Sequence, residues 1–490
     1  MKITSPKRHA SHSTANEEAL QKCQSALEKR DRGDYESARE VMRPLWKRIG
    51  DRPEVKGLHA SISAEVLICV GILTSWIGSK EELEDAQEVA KNLITEGMTF
   101  YESIGDVRKV TAARAEIAYC YFREGALNEA RTMLTEALQK LTTEGNTRAR
   151  ALLRLAIVEC SASRYDDASK ILSDNAPLFN KINNHAIIGA YHNQFAMVLR
   201  KLATPENRND YLQRALRSYE KADTHFKLAH NIVFRANVKN NVGNVLRQLS
   251  RFQEALRYLE EARRLAVSIR NRVQTAEIDD TRAQVFIAEG RFKEAEAVAS
   301  HAVKVLGKSG QQCLLADALI THGIALARLG RTDGAQFTFK RAIEVAQEVD
   351  ALNKAGLAAL SLVEELDDLP RDTSHSAFHR AAEWLANSQG QDLMRRFTAA
   401  AEKVFTILDR ELTAEEATKE LFNKPCDLQQ EILRYEGILI KEALAKTNGR
   451  LTEAASQLTL SYQALAYIIE GRHKDLLKDR TPIRRRSRKA

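Results

Sequence analysis

Side chains that can contact nucleic acid lie close together near the C-terminal end of this 490-residue chain. A glutamine can pair with adenine through two hydrogen bonds, and a tyrosine can contact a phosphate or a thymine methyl group. The candidate base-contacting residues are Ser461, Tyr462, Gln463 and Tyr467. Ordinary surface or dimer packing is the alternative role for the two tyrosines.

Basic residues follow this stretch directly. From Arg472 to Ala490 there are nine lysines and arginines against two aspartates, so this end carries +7 of the chain's net charge of +8. A balanced body with one concentrated basic end indicates a localised contact with a polyanion. The candidate phosphate-contacting residues are Arg472, Lys474, Arg484, Arg485 and Arg486. A solvated tail without a partner is the alternative.

Short helices joined by a tight turn are predicted to position these side chains. The expected helix ends and caps are Asn448–Gly449, Thr452, Thr459–Leu460 and Ser461. Ala455 is small enough to let the last two helices cross. Two short helices joined in this way form a helix-turn-helix, which exposes the start of its last helix.

The segment EGILIKEALAKTNGRLTEAASQLTLSYQAL resembles the Fis-type helix-turn-helix, found in the nucleoid protein Fis and at the C-terminus of bacterial enhancer-binding activators. The shared residues are Ala443, Leu444, Thr447, Asn448, Gly449, Ala454, Ala455, Leu458, Leu460 and Leu465. The resemblance implies bacterial origin, major-groove binding to double-stranded DNA and a homodimer. The family usually has glycine where this chain has Thr459, and Arg or Lys in the recognition helix, so its operator sequence cannot be transferred.

Small residues recur at a constant interval in the body of the chain. The aligned sets are Gly243, Ala283 and Gly323; Ser250, Gly290 and Gly330; Ala255, Ala295 and Ala335; and Ala262, Ala302 and Ala342. Small side chains let two helices approach closely, and glycine ends a helix in a left-handed conformation. The pattern resembles the tetratricopeptide repeat family, although the interval here exceeds the usual period of about 34 residues, and a HEAT-like stack is the alternative.

Such repeats stack into a superhelix with a concave groove, in which the resemblance implies a bound peptide or protein. If the first helix of each hairpin lines that groove, polar side chains recur along it. The candidate partner-binding residues are Asn193, Arg200, Asn240, Asn244, Arg247, Asp280 and Gln284. Asparagine carries donors and acceptors that can satisfy the backbone of an extended peptide. A solvated polar face is the alternative.

The whole chain is expected to be all-α, because it contains only 8 prolines and abundant helix-forming residues. The predicted organisation is a disordered tail (1–18), a tetratricopeptide-like α-solenoid of about eight helical hairpins (19–370), connecting helices (371–427), the Fis-type helix-turn-helix (428–480) and a basic tail (481–490). An apolar stripe in the connecting helices, at Leu393, Phe397, Ala401, Val404 and Leu408, needs a cover. The last repeat, a dimer partner or a lever to the terminal helices could provide it.

Other functional classes lack a sequence signal. The six cysteines lie far apart without a C-x-x-C motif, so no disulfide, metal or cofactor is expected. No catalytic or nucleotide-binding motif is complete, so we do not expect an enzyme. The longest apolar run, Val66–Leu73, is shorter than the ~20 residues of a membrane span, and a cytoplasmic, nucleoid-associated protein is expected.

The sequence therefore predicts a DNA-binding transcription regulator whose repeated body binds a peptide or protein partner. The alternative is a non-enzymatic interaction scaffold, in which the last helices cap the solenoid and the basic tail binds an acidic protein or RNA.

Overall fold

The computed structural model describes residues 7–81, 83–367, 369–386, 391–411 and 428–479. Within these ranges every regular element is helical, so the predicted all-α class is confirmed. Contacts divide the chain into two compact units, Met1–Val404 and Phe405–Ala490.

The first unit is a stack of helical hairpins, as expected for a tetratricopeptide-like α-solenoid. Its helices are α1 (Lys7–Asp31), α2 (Tyr35–Met42), α3 (Ala60–Lys80), α4 (Ala86–Ser103), α5 (Val107–Arg123), α6 (Leu127–Lys140), α7 (Asn146–Ser161), α8 (Tyr165–Asp174), α9 (Ala176–Lys181), α10 (His185–Leu202), α11 (Arg208–Leu228), α12 (Ile232–Gln248), α13 (Phe252–Ser268), α14 (Arg272–Ala288), α15 (Phe292–Leu306), α16 (Gln312–Arg328), α17 (Thr332–Glu348), α18 (Leu352–Glu365), α19 (Arg371–Trp384) and α20 (Gln391–Glu411).

Nine helical pairs can be traced in the described part of this unit, from α1/α2 to α18/α19, with the short α9 after α8. The sequence predicted about eight. The additional pair crosses the predicted boundary at residue 370, because Pro370 precedes α19 as its N-cap and α19 packs on α18. Gly356 permits this approach, since a Cβ there would lie 2.6 Å from Cγ of Leu385.

The constant interval of the sequence is visible in the helix boundaries. Helices α12, α14, α16 and α18 begin at residues 232, 272, 312 and 352, and α13, α15 and α17 begin at 252, 292 and 332. Most of these helices have 17 residues and are joined by links of three residues. The links between the helices are short. The long helices therefore account for a repeat that is longer than the usual tetratricopeptide period.

Each link contains a residue with positive φ. Ser250, Gly290 and Gly330, predicted to end the first helix of a repeat, have φ of 57°, 79° and 75°. A second set, not predicted from the sequence, ends the second helix of each repeat. It consists of His230, Arg270, Gly310 and Asp350, with φ of 53°, 54°, 79° and 53°. The backbone therefore turns in the same way at every link, although the side chains there differ.

Close packing within a hairpin depends on matched residue sizes. A Cβ on Gly243 would lie 2.5 Å from Cγ of Leu259, and one on Gly323 would lie 2.7 Å from Cε1 of Phe339. The corresponding residues of the intervening repeat are both alanine, at positions 283 and 299, and both are fully buried. A large side chain on the second helix therefore accompanies glycine on the first.

Helix α3 combines unusual length with apolar composition. The stretch Ala60–Ser79 has a mean hydropathy of 1.8 and is long and apolar enough to cross a membrane, although 61% of it is buried by the protein. Val66, Val70 and Leu73 are fully buried in a core shared with α1 and α4. This burial is typical of the central helix of a helical stack.

Besides the last residues of α20, the described part of the second unit contains three helices and a short 3₁₀ helix. They are α21 (Leu428–Lys446), α22 (Leu451–Gln457), α23 (Tyr462–Arg472) and the 3₁₀ helix Lys474–Asp479. Leu444, Ala455, Leu465, Ile469 and Leu476 contribute to a core of their own. The two short helices are therefore held against α21 by apolar packing.

Candidate functional site

The first helices of the later repeats line a large cavity in the solenoid. Helices α12, α14, α16, α18 and α20 surround a volume of about 940 Å³. Five of the seven predicted partner-binding residues line it, namely Asn240, Asn244, Arg247, Asp280 and Gln284. The inner positions of consecutive first helices thus meet in one cavity, as the repeat pattern predicted.

The other two predicted residues lie outside this cavity. Asn193 accepts a hydrogen bond from Nδ2 of Asn241, at 3.4 Å, and lines a smaller cavity of about 170 Å³. Arg200 donates to the hydroxyl of Tyr219 at 3.5 Å. Both residues belong to α10, and the larger cavity begins at α12.

The polar floor of the larger cavity is incompletely hydrogen-bonded. Asn240 and Asp280 are each only 7% exposed, and Oδ1 of each has no hydrogen-bond partner among the described residues. Gln284 donates to Oδ2 of Asp280 at 2.9 Å, and Arg247 donates to Oδ1 of Asn244 at 2.9 Å. Buried polar atoms without partners are costly, which makes these two oxygens candidates for ligand contact.

Burial shifts the ionisation of this floor. Burial, together with the nearby carboxylates of Asp317 and Glu277, raises the pKa of Asp280 to about 7, against hydrogen bonds that lower it. Burial and Asp317 also raise the pKa of Glu277, whereas Lys354 lowers it. Burial and the neighbouring Arg200 lower the pKa of Arg247. Near neutral pH, Asp280 can therefore gain or lose a proton.

The opposite end of the cavity carries paired charges. The ion pairs are Arg328–Glu365 at 2.7 Å, Arg396–Glu364 at 2.6 Å and Lys403–Asp367 at 2.7 Å. These residues were not predicted from the sequence, and neither were Glu277 and Asp317 near Asp280. The sequence did contain a signal for them, because they occupy equivalent positions of successive repeats. Glu277 and Asp317 follow Asn237 at one and two repeat intervals, and Glu364 follows Gln284 at two.

A buried charge cluster occupies the inner side of the earlier repeats. Asp31, the last residue of α1, binds Nη2 of Arg150 at 3.1 Å and Nη2 of Arg30 at 2.7 Å. Burial alone would raise the pKa of Asp31, but the guanidiniums of Arg150 and Arg30 hold it at about 2. The backbone carbonyl of Asp31 also accepts a hydrogen bond from Nδ2 of Asn231, at 2.9 Å. The first hairpin is therefore anchored to α7 and α12.

The turn between α22 and α23 adopts the predicted helix ends. Thr459 has φ of 56°, and the amide of Leu460 donates to the carbonyl of Ala455 at 2.8 Å. Ser461 caps α23, since its Oγ accepts a hydrogen bond from the amide of Ala464 at 3.1 Å. The predicted cap at Thr452 is wrong. Helix α22 already begins at Leu451, with Arg450 at the N-cap, because the preceding Asn448–Gly449 turn is so short.

The predicted base-contacting side chains are exposed. Tyr462 is 43% and Tyr467 77% exposed, and Ser461 and Gln463 are also exposed. The opposite side of α23 buries Leu465 and Ile469. The start of α23 thus presents polar and aromatic groups to solvent while its inner face anchors it.

The predicted phosphate-contacting residues fall into two groups. Arg472 is about half exposed and lies 3.6 Å from Glu436, whose other oxygen binds His473 at 2.9 Å. Lys474 is exposed. The remaining three, Arg484, Arg485 and Arg486, lie outside the described residues.

Helix α21 has an exposed apolar surface. Ile432, Tyr435, Ile438 and Leu439 are 57%, 62%, 49% and 49% exposed. Its other face buries Ala443 with Ile440 and Leu444. A helix with apolar residues on both faces presents one of them for a further contact.

Comparison with known proteins identifies part of the solenoid. The sequence model of the tetratricopeptide repeat family matches residues 234–308, from α12 to the end of α15. These two hairpins are therefore similar to tetratricopeptide repeats, the family that the sequence pattern resembles. No curated protein sequence matches the chain.

Several solved structures have a similar arrangement of helices at low sequence identity. A STAND signal transduction ATPase with a tetratricopeptide repeat sensor, from Pyrococcus horikoshii, is 15% identical, with a TM-score of 0.48 over 74% of this chain and 57% of that one. A Rap protein complexed with Competence and Sporulation Factor is 15% identical, with a TM-score of 0.44 over 72% and 99%. Aspartyl phosphate phosphatase F from Bacillus subtilis is 13% identical, with a TM-score of 0.39 over 77% and 97%. The chain spans little more than half of the STAND protein.

Proposed function

We propose that this protein is a sequence-specific DNA-binding transcription regulator of a bacterial cytoplasm. In this proposal the tetratricopeptide-like body receives a peptide or protein partner, and α22 and α23 form a helix-turn-helix of the Fis type. Tetratricopeptide-like solenoids are protein-interaction folds, which supports the first part. The second part depends on the terminal helices.

The observation that carries the DNA-binding proposal is the exposed start of α23. Ser461 caps this helix, so Tyr462 and Gln463 project from its first turn. An α-helix with its side chains is about 10–12 Å in diameter, and a major groove about 12 Å wide can accommodate it. Gln463 suits adenine, while the absence of Arg and Lys from the first turn disfavours direct reading of guanine.

Charge supports a division of labour within the terminal unit. Residues 428–479 contain seven basic and seven acidic side chains, so this segment is neutral. The segment 480–490 adds six basic residues and no acidic one. We assign sequence discrimination to α23 and most of the phosphate attraction to the basic end.

Dimerisation through α21 completes the proposal. The exposed residues Ile432, Tyr435, Ile438 and Leu439 form an apolar surface on a helix next to the two short ones. A second copy could cover this surface and present two copies of α23 to a palindromic site.

An interaction scaffold is the second candidate function. The cavity of about 940 Å³ with its unpartnered oxygens favours it, because a receptor groove does not require DNA. In that case the terminal helices serve packing only, and the basic tail binds an acidic protein or RNA. A full chain that binds a peptide or protein but enriches no duplex motif would favour this scaffold.

Selection from a random duplex library, followed by sequencing, tests the proposal. We expect the full chain to enrich a defined motif, and the double variant Tyr462→Ala with Gln463→Ala to lose or alter it. Gln336→Ala with Phe337→Ala is the matched control, because it removes a glutamine and an exposed aromatic residue from α17. Failure of the full chain to enrich any motif, at low or moderate salt, would refute sequence-specific binding.

A further inference from the structure

Three carboxyl groups meet at the polar floor of the larger cavity. Glu277 and Asp280 belong to α14 and Asp317 belongs to α16, and all three line the cavity. Glu277 and Asp317 are one repeat interval apart, so they occupy equivalent positions on adjacent first helices. We refer to these three residues as the acidic centre.

The acidic centre contains more acid than base. Lys354 forms an ion pair with Asp317. Arg247 interacts electrostatically with Asp280 but donates its hydrogen bond to Asn244. Three carboxyl groups thus face two cations, whereas each of the three carboxylates at the other end of the cavity has a cation within 2.7 Å. A buried carboxylate without a cation of its own destabilises the fold unless it binds a proton or another cation.

Two buried oxygen atoms provide independent evidence for a ligand. Oδ1 of Asp280 and Oδ1 of Asn240 line the same cavity, on neighbouring helices, and neither has a hydrogen-bond partner within the described part of the chain. Both residues are more than nine-tenths buried. An ammonium or guanidinium group carries several donors and no acceptor, so it can satisfy both oxygens at once.

We propose that the acidic centre receives a cationic group of an extended peptide, which donates hydrogen bonds to Asp280 and Asn240. This inference rests on the proposed function, because it names the chemistry of the peptide that the solenoid receives. Among the described residues no three carboxylate, imidazole or thiol groups are arranged to hold a metal ion. Because the pKa of Asp280 is about 7, the cation displaces a proton when it binds near neutral pH.

The cationic group can come from two places on a peptide. A lysine or arginine side chain would place the peptide across the centre, with residues on both sides of the charge. A free terminal ammonium would place the end of the peptide there. Acetylation of the peptide terminus removes the second source and leaves the first.

The test uses the immobilised full chain and two synthetic libraries of random octapeptides, one with acetylated and one with free amino termini. We expect bound peptides from the acetylated library to be enriched in lysine or arginine at one position. The variant Asp280→Asn should lose this enrichment. Asp333→Asn is the matched control, because it removes an exposed carboxylate from α17, and it should select the same peptides as the native chain.

Calorimetry on one selected peptide then separates direct contact from altered folding. Replacing its basic residue by norleucine should weaken binding to the native chain at least about tenfold, and to Asp280→Asn less than about threefold. Glu277→Gln gives a second measurement at the same centre and should also reduce the effect of norleucine. An equal effect of norleucine on the native chain and both variants would overturn the proposed contact.

The remaining outcomes distinguish this inference from the proposed function. Enrichment in the free-amino library without a side-chain preference assigns the cation to the peptide terminus and supports the proposal. Peptides that bind without any cationic preference overturn the inference and leave the receptor function standing. If neither library yields a bound peptide, both the peptide-receptor function and this inference fail.

Discussion

Asn231 joins the sixth hairpin of the solenoid to the first, because its side-chain amide donates a hydrogen bond to the carbonyl of Asp31 at 2.9 Å. The two residues are 200 positions apart. The same side chain caps α12, since its Oδ1 accepts from the amide of Phe234 at 2.9 Å. One fully buried asparagine thus stabilises a helix end and a contact between distant repeats.

Replacement of Asn231 should therefore cost more than the loss of a helix cap. We expect Asn231→Ala to lower the free energy of unfolding by about 2–4 kcal/mol, as the sum of a lost cap and a buried carbonyl without a donor. Asn271→Ala is the matched control, because Asn271 caps α14 in the same way one repeat later. Chemical denaturation should show a loss of only about 1 kcal/mol for the control, and equal losses would contradict a separate role for the Asp31 contact.

The matched sizes within a hairpin predict non-additive substitutions. Gly243→Ala should destabilise the protein by about 1–3 kcal/mol, because the new methyl group meets Leu259. Leu259→Ala should cost about 2–5 kcal/mol by leaving a cavity. The double variant recreates the alanine pair of the next repeat. Denaturation should show it to be more stable, by about 1–2 kcal/mol, than the summed losses of the two single variants predict. Simple additivity would show that the two positions do not share space.

The acidic centre predicts a change of stability with pH. The pKa of Asp280 in the folded protein is about 7, above its ordinary value of 3.8, so the folded state binds the proton more tightly. The native chain should therefore lose stability as the pH rises from about 4 to about 7, by at most about 4 kcal/mol from this group. The charges around it are Glu277 on its own helix, Arg247 on α12, Asp317 on α16 and Lys354 on α18.

Substitution isolates that contribution. Asp280→Asn has no proton to exchange, so the difference in unfolding free energy between the native chain and the variant should change across this pH range. The exposed control Asp333→Asn should differ from the native chain by a nearly constant amount. A constant difference for Asp280→Asn as well would place the pKa of Asp280 near its ordinary value.

The basic end predicts how DNA binding responds to salt. Removing residues 483–490 deletes five basic side chains and should reduce the slope of log affinity against log salt by up to about 4.5. Tyr462→Ala with Gln463→Ala should leave the slope nearly unchanged while it alters sequence preference. Fluorescence anisotropy on one duplex at several salt concentrations measures both effects. Equal changes of slope would contradict the separation between phosphate and base contacts.

The cap at Ser461 predicts a local loss of stability. Ser461→Ala should destabilise α23 by about 0.5–2 kcal/mol, because the amide of Ala464 loses its acceptor. Ser461→Asn retains an acceptor and serves as the control. Hydrogen exchange without DNA should accelerate across residues 462–472 in the alanine variant, with α12 to α15 unaffected. Unchanged exchange in α23 would argue against this cap.

Local features of the fold were predictable from the sequence, whereas contacts between distant repeats were not. Ser250, Gly290 and Gly330 reveal the turns because their residue types and spacing repeat. Arg270 occupies the same left-handed conformation as Gly310, but arginine gives no such signal in a sequence. The contact between Asp31 and Asn231 depends on the path of the intervening hairpins, which local patterns do not determine.

The candidate site was predictable to a similar extent. Asn240, Asn244 and Gln284 follow from the inward positions of one repeat carried to the next. Of the acidic centre only Asp280 was predicted, because the importance of Glu277 and Asp317 depends on burial and on which cations lie nearby. At the terminal helices, the caps at Asn448–Gly449 and Ser461 were predicted correctly, while the N-cap of α22 is Arg450 instead of the predicted Thr452.

The hydrogen bond between Asp31 and Asn231 also divides the solenoid into a part of fixed length and a part that can grow. Any repeat added between these residues would separate the donor from the acceptor and leave both buried without a partner. After α13 the repeat units follow one another in register, and a contact that spans them, between the exposed side chains of Glu206 and Arg395, is weakened by solvent. Duplication of residues 272–311 should therefore extend the protein as an interchangeable module, whereas duplication of α5 and α6 should not.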